Sequence, residues 1–263
     1  MSSAVDRGRT VPGVQVSRGR LARSAEDGVL DVAVAHELLR RVGRGDLGEV
    51  LRIYRPASPT VAFGRRDTLL PGFPAAARAA RDAGFVPVIR APGGRCVAYT
   101  GQAMVVDHVC PDPDAFTGMD ARFRTFSALW AQLLSAHGID ARVGEVPGEY
   151  CPGSFSVNAR GRAKLVGTAQ RVVRRGWLFS AVLVYDDADA LRPLLGRIYE
   201  RLGLPFDPAS VGSVRLERPG LELDALEEAL LAAYAGRDVL VPAALDEDVV
   251  EAAAASLDDH RAG

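Results

Sequence analysis

The chain has 263 residues, 48% of them hydrophobic and 25% charged, with a formal net charge of −1. Those values suit a folded globular protein and give no general case for a nucleic-acid or membrane partner. No apolar run reaches the length of a membrane span, and no apolar signal-like segment follows the early positive residues. Three cysteines without CxxC spacing argue against a disulfide framework and a structural zinc site, and imply reduced thiols in a cytoplasmic setting.

Residues 1–25 are polar, contain Gly and carry five Arg between positions 7 and 23, and are expected as a flexible lead-in. From Ala25 to Val42 apolar residues fall on a helical stripe, with Asp27 near the start. EVLRIYR (49–55) and TVAFGR (60–65) read as strands joined by a Pro-Ala-Ser-Pro turn. An Ala-rich helix over 74–85 ends at Gly84, and FVPVIR (85–90) is a short strand leading into APGGR. AMVVDHV (103–109) predicts another strand, and 119–138 a long amphipathic helix.

Residues 153–185 contain three strand-like runs, SFSVN, KLVGTAQRVV and WLFSAVLVY, the last two meeting in a hairpin at Arg174-Arg175-Gly176. Helices follow over 188–200, 222–235 and 246–257. Strands in adjacent pairs as well as around helices predict an α+β fold with a mixed sheet.

The chemistry-bearing residues are few. Arg90-Ala-Pro-Gly-Gly-Arg95 follows a strand, and its paired glycines, Gly93 and Gly94, let backbone amides approach a ligand closely; a plain Gly-Gly turn is the bland alternative. Cys151 precedes Pro-Gly, which places its thiol on a turn rather than inside a helix or strand; on local sequence alone it is either an inert loop thiol or a nucleophile. Cys96 and Cys110 lie in or beside apolar runs and read as packing residues.

Lys164 is the single lysine of a chain with 31 arginines. A compact ammonium differs from a guanidinium in that its pKa shifts readily on burial, and it can assist a thiolate or hold a carbonyl oxygen. The bland alternative is a surface lysine. His108, beside Asp107, is the one histidine placed to serve a Cys–His pair, although a structural histidine explains it as well. No metal-binding spacing occurs, so no catalytic metal is expected.

Three stretches in order resemble lipoate–protein ligases and their octanoyltransferase relatives: VAVAHELLRRVGRGDLGEVLRIYRPASPTVAFGR (32–65), GFVPVIRAPGGRCVAY (84–99) and GRAKLVGTAQR (161–171). The second resembles the family's lipoyl-binding loop. The third resembles the segment carrying its acyl-site lysine, which maps onto Lys164. EYCPGSFSV (149–157) is most similar to the cysteine-dependent branch that moves octanoyl from the glycine-cleavage H protein to lipoyl domains. Ala91-Pro92 replaces a usual Ser, Arg95 and Cys96 replace small or apolar residues, and Thr100 falls near a usual Asp. The segment after the hairpin is shorter than the extra domain of many ATP-dependent ligases.

The resemblance implies a mixed, largely antiparallel sheet flanked by helices, of the biotin/lipoate-protein ligase type, as a single acyltransferase domain over 26–263. It implies Cys151 as thioester-forming nucleophile and Lys164 as donor to the acyl carbonyl or thiolate, with Arg90, Gly93, Gly94, Gly167 and Thr168 binding the acyl or lipoyl group. The implied donor is the H protein or acyl carrier protein, and the acceptor a lipoyl domain of a 2-oxoacid dehydrogenase. No cofactor is required. The alternatives are an ATP-dependent lipoate–protein ligase, which would use ATP and Mg, and a non-catalytic lipoyl- or fatty-acid-binding protein.

Overall fold

The structure, a computed structural model, describes residues 13–19, 21 and 28–263. The chain runs through β1 (Val14–Arg18), α1 (Val29–Arg44), β2 (Val50–Tyr54), β3 (Thr60–Phe63), α2 (Phe73–Asp82), β4 (Val86–Ile89) and β5 (Val97–Tyr99). It continues through β6 (Ala103–Pro111), α3 (Met119–Ala136), β7 (Ala141–Val143), β8 (Val157–Ala159), β9 (Ala163–Val173) and β10 (Gly176–Val184). It closes with α4 (Ala188–Leu202), α5 (Val214–Glu217), α6 (Leu223–Ala235), β11 (Leu240–Pro242) and α7 (Glu247–Ala254).

Two sheets result. The larger has eight strands in the order β11-β1-β2-β6-β10-β9-β8-β7, and the smaller has the order β4-β3-β5. β1 pairs in parallel with β11 and β2, and β3 with β4; the other pairings are antiparallel. This is the mixed, largely antiparallel α+β arrangement the sequence predicts, with Arg174-Arg175 forming the two-residue connection between β9 and β10.

One expectation is corrected and another refined. Residues 14–18, taken with the loose lead-in, form β1, because Val14 and Val16 alternate with polar residues and bury their side chains against the sheet. The remainder of the lead-in call, residues 1–12, 20 and 22–25, lies outside the described residues, as do the predicted helix start at Ala25 and Asp27; α1 is described from Val29. The Pro-Ala-Ser-Pro turn joins strands of different sheets, β2 and β3, since the two prolines at 56 and 59 withhold the N–H groups a ladder needs.

Three apolar clusters fill the layers. α3 and α6 cover one face of the large sheet through Phe126, Trp130, Leu133, Leu226 and Leu230. α1 and α7 cover part of the other face. The small sheet, with α2 and α4, packs on the remaining part of that face, against Tyr54, Val105 and Val184. The loop between β4 and β5 thereby hangs from the small sheet over β9 of the large one, where the Gly93 N–H donates to the Gln170 carbonyl at 3.3 Å. That overlap creates the candidate site.

Candidate active site

Cys151 sits on the loop before β8 with φ of +44°, in the left-handed region that residues other than Gly, Asn and Asp rarely occupy. Such a conformation costs about 1–2 kcal/mol and needs external support. Tyr199 on α4 supplies it. The Cys151 N–H donates to the Tyr199 hydroxyl at 2.6 Å, and that hydroxyl donates to the Cys96 carbonyl at 2.9 Å. Burial pushes the Tyr199 phenol well up, so it stays neutral and able to do both.

Two donors face the sulfur. The backbone N–H of Arg95 lies 3.2 Å from Sγ, and Nη2 of Arg90 lies 3.5 Å from it. The same Nη2 donates to the Arg95 carbonyl at 2.8 Å, which holds the Gly-Gly loop closed on itself. Gly94 has φ of +97°, and a Cβ there would stand 2.7 Å from both the Cys151 sulfur and the Arg90 guanidinium. The thiol thus fits only beneath a glycine. Gly64 serves the same loop from below: a Cβ at this position would meet the Gly94 carbonyl at 2.0 Å. Arg95 is tied to Asp67 at 3.2 Å, and Asp67 accepts from the Gly64 N–H at 3.0 Å. The Gly64-Arg65 end of the first resembling stretch is therefore structural support for the loop.

Lys164 is only 1% exposed. Its Nζ donates to the carbonyls of Tyr150 at 3.0 Å and Cys151 at 2.9 Å, and lies 3.5 Å from Oε2 of Glu149. Burial pulls its pKa down, against the opposing pull of Cys151 and Glu149. Burial likewise pushes the Glu149 carboxyl up, opposed by Lys164. Glu149 Oε1 accepts from the Gly153 N–H at 3.0 Å and the Ser156 hydroxyl at 2.7 Å. The two buried charges together clamp residues 149–156 around the thiol. A guanidinium is larger and planar and would not converge on these three acceptors in the same space.

An open groove of about 390 Å³ leads to the thiol, walled by Gly93, Gly94, Phe123, Phe155 and Thr168. Phe123 and Phe155 stack with centroids 5.2 Å apart, giving it an apolar side. On the far side of Arg90 lies a narrower slot under α1, lined by Val32, Ala62, Val97, Val105 and Val182 among others. Thiol and groove adjoin, and Arg90, which reaches the sulfur, also lines the slot. Among the described residues no cluster of His, Cys, Asp and Glu is arranged to hold a metal ion.

The structure brings Cys151, Lys164, Arg90, Gly93 and Gly94 together, with Thr168 on the groove wall. Gly167 does not line the groove; it lies in β9 against the Lys164 stem, where a Cβ would stand 3.4 Å from Cε. His108 is remote from this constellation, bonded to Glu49 at 2.6 Å and packed edge-on against Phe126, Trp177 and Tyr234. Cys96 is fully buried and its thiol is pushed well up, in keeping with a packing role. Glu149 and Tyr199 escape sequence reading: the first stands two residues before the cysteine without any motif, and the second reaches it only through the docking of α4.

Residues 27–235 match the lipoyl protein ligase A/B catalytic domain. The chain belongs to this family. Among curated proteins it is 30% identical over 171 residues to the octanoyl-GcvH:protein N-octanoyltransferase of Geobacillus kaustophilus, covering 65% of this chain and 60% of that protein. The enzyme of the same description from Anoxybacillus flavithermus is 30% identical over 166 residues, covering 62% and 58%. The alignments thus span less than two thirds of the length of these relatives. Among solved structures, a T. acidophilum protein of the lipoate protein ligase type with bound lipoic acid superposes with a TM-score of 0.72 at 18% identity, covering 95% of both chains. Lipoate-protein ligase A bound with ATP gives 0.69 at 18% identity, covering 93% of both. These likenesses establish the lipoate-ligase type of fold.

Proposed function

We propose that this family member is a cysteine acyltransferase of lipoyl-cofactor assembly, moving an octanoyl or lipoyl group to a lysine of a lipoyl domain. The observation that carries the reading is the pair of donors on the Cys151 sulfur, the Arg95 N–H at 3.2 Å and the Arg90 guanidinium at 3.5 Å. Both hold the sulfur at the mouth of the groove and would stabilise negative charge developing on it during attack. The sulfur attacks the carbonyl carbon of an acyl group carried on the donor protein; the S–C bond forms, the bond to the donor breaks, and the thiol proton ends on the donor's departing amine or thiol, directly or through water. The acceptor ε-amine then attacks the thioester, forming C–N and breaking C–S, and the proton lost from nitrogen returns to the sulfur as the thiol is regenerated. A covalent intermediate divides one difficult exchange into two easier steps.

In this reading the open groove of about 390 Å³ beside Cys151, with the Phe123 and Phe155 rings on its wall, receives the acyl chain. Lys164 keeps the Cys151 loop in place and donates to the acyl carbonyl when one of its present bonds is exchanged. The names of the Geobacillus kaustophilus and Anoxybacillus flavithermus relatives support octanoylated glycine-cleavage H protein as donor, with acyl carrier protein the other donor class. No ATP enters any step.

The test is the intact mass of the purified protein after incubation with octanoylated H protein and, separately, octanoyl-acyl carrier protein, without ATP. An octanoyl adduct removed by hydroxylamine and abolished by Cys151→Ala is the expected result. ATP-dependent lipoate transfer that survives Cys151→Ala would replace this reading with the ligase. Stoichiometric acyl binding without transfer to any acceptor would replace it with a binding protein.

A further inference from the structure

The lip of the groove that carries the Gly-Gly loop is cationic. Arg65 follows Gly64, whose backbone packs against the Gly94 carbonyl, and Arg171 follows Gln170, whose carbonyl accepts from the Gly93 N–H at 3.3 Å. The two arginines therefore flank the exposed Gly93-Gly94 tip beside the Cys151 sulfur. Alternation along β9 fixes the direction of Arg171. The Gln170 side chain reaches toward α3, where its amide donates to the Met119 carbonyl at 2.9 Å, so Arg171 points to the α1 face. There it nears Arg65. Burial first, then the charges of His260, Arg40, Arg65 and Arg171, lower the pKa of His36, so guanidiniums from α1, the β3–α2 turn and β9 gather near one ring.

Arg65, its neighbour Arg66, Arg171, and Arg174 and Arg175 at the end of the same strand are all exposed. Among the described residues none of these five side chains has an acidic partner. By contrast Arg18, Arg44, Arg142 and Arg160, equally on the surface, each hold a carboxylate. The chain as a whole carries a net charge of only −1, so the excess is local to this lip. The opposite lip offers Met119 and Asp120 instead. A cluster of unpaired like charges beside a reactive group attracts a partner of opposite sign and speeds its approach.

Resting on the acyl-enzyme reading above, we infer that the arginine lip is the docking face for the protein that carries the acyl group, and that this carrier presents an acidic surface beside the group it offers to the thiol. One thiol with one mouth receives donor and acceptor in turn, so both carriers use this face and compete for it. Because the Met119 and Asp120 lip is not cationic, charge complementarity also sets which way round the carrier lies.

The experiment separates docking from chemistry. The full chain is loaded either from the N-acetylcysteamine thioester of octanoate, a small neutral donor, or from octanoylated H protein. The loaded enzyme is then given a lipoyl domain with a free lysine, and intact mass follows each step. The expected result is that Arg65→Glu combined with Arg171→Glu leaves loading from the small thioester within about twofold but slows exchange with the carriers about 10²-fold at low salt. The neutral pair Arg65→Gln and Arg171→Gln should fall between, and added salt should slow the unaltered protein toward the charge-reversed one. Charge reversal that leaves carrier exchange unchanged, or that slows the small thioester equally, would overturn the proposal. So would carrier exchange by the unaltered protein that is indifferent to salt, a comparison that needs no variant to fold. Loading from the small thioester without exchange with either carrier overturns it as well. Failure of the small thioester and of H protein to load would instead remove the acyl-enzyme reading, and this proposal with it.

Discussion

Replacing Lys164 with Met removes an ammonium that holds two backbone carbonyls and one carboxylate, while nearly conserving the side-chain stem. Deleting one member of a buried ion pair costs about 3–5 kcal/mol. The lower end applies, since Glu149 keeps its bonds from Gly153 and Ser156, and its carboxyl, already pushed up by burial, can take a proton instead of remaining charged. The expected loss is therefore about 3 kcal/mol, or a fall of about 1 M in the urea midpoint for a slope near 3 kcal/mol/M. Cys151 loading should fall by about 10²–10³, the range for loss of a well-placed donor at an acyl-transfer site. The decisive comparison is Lys164→Met with and without Glu149→Gln. Removing the orphaned carboxylate should restore about half of the lost stability, leaving the unmet carbonyls of Tyr150 and Cys151 as the remainder. If the double variant is no more stable than the single one, Lys164 and Glu149 do not act as a pair. If Lys164→Met, or Lys164→Arg, loads at the original rate, the loop does not depend on this ammonium.

Tyr199→Phe should lower stability by about 2 kcal/mol, because the Cys151 N–H and the Cys96 carbonyl both lose a buried partner, and should slow Cys151 loading about tenfold; urea unfolding and intact mass read the two effects, and unchanged loading would show that the left-handed turn stands without it. His36, whose pKa burial and the neighbouring His260 lower to about 4 from an unfolded value near 6.5, makes stability fall as pH drops through that window, because the unfolded chain takes up the proton first. After discounting for solvent screening, the difference between the original protein and His36→Gln should change by about 2 kcal/mol between pH 7 and pH 4, read as urea midpoints at each pH, and a constant difference would refute it.

The sequence was most informative where composition or local geometry singled a residue out. Lys164 stood alone among arginines, and Cys-Pro-Gly marked a turn; both lead to the site. Long periodic segments such as α3 and the β9–β10 hairpin were legible for the same reason, repeated local pattern. The short strands β7 and β11 were not, since three residues show no alternation and these strands exist because a neighbour offers a ladder. Attention to His108 rather than Asp107 followed from residue type. Alternation along MVVDHV in fact places Asp107 with Val105 on the slot face and sends His108 into the opposite aromatic cluster. Glu149 and Tyr199 owe their roles to tertiary docking, which no local window contains.

The partition of β2 and β3 between two sheets bears on how the protein acquires reactivity. The Gly-Gly loop and its two sulfur donors belong to the small sheet, whereas the Cys151 loop and its lysine clamp belong to the large one. Neither sheet alone holds the sulfur against both donors. A nascent or partly unfolded chain therefore carries Cys151 without its two donors, and sulfur and donors meet only at the seam, when the halves dock. Chemical competence is in this sense a property of assembly, so the rate at which an electrophile finds Cys151 during refolding is a clock for the last tertiary step.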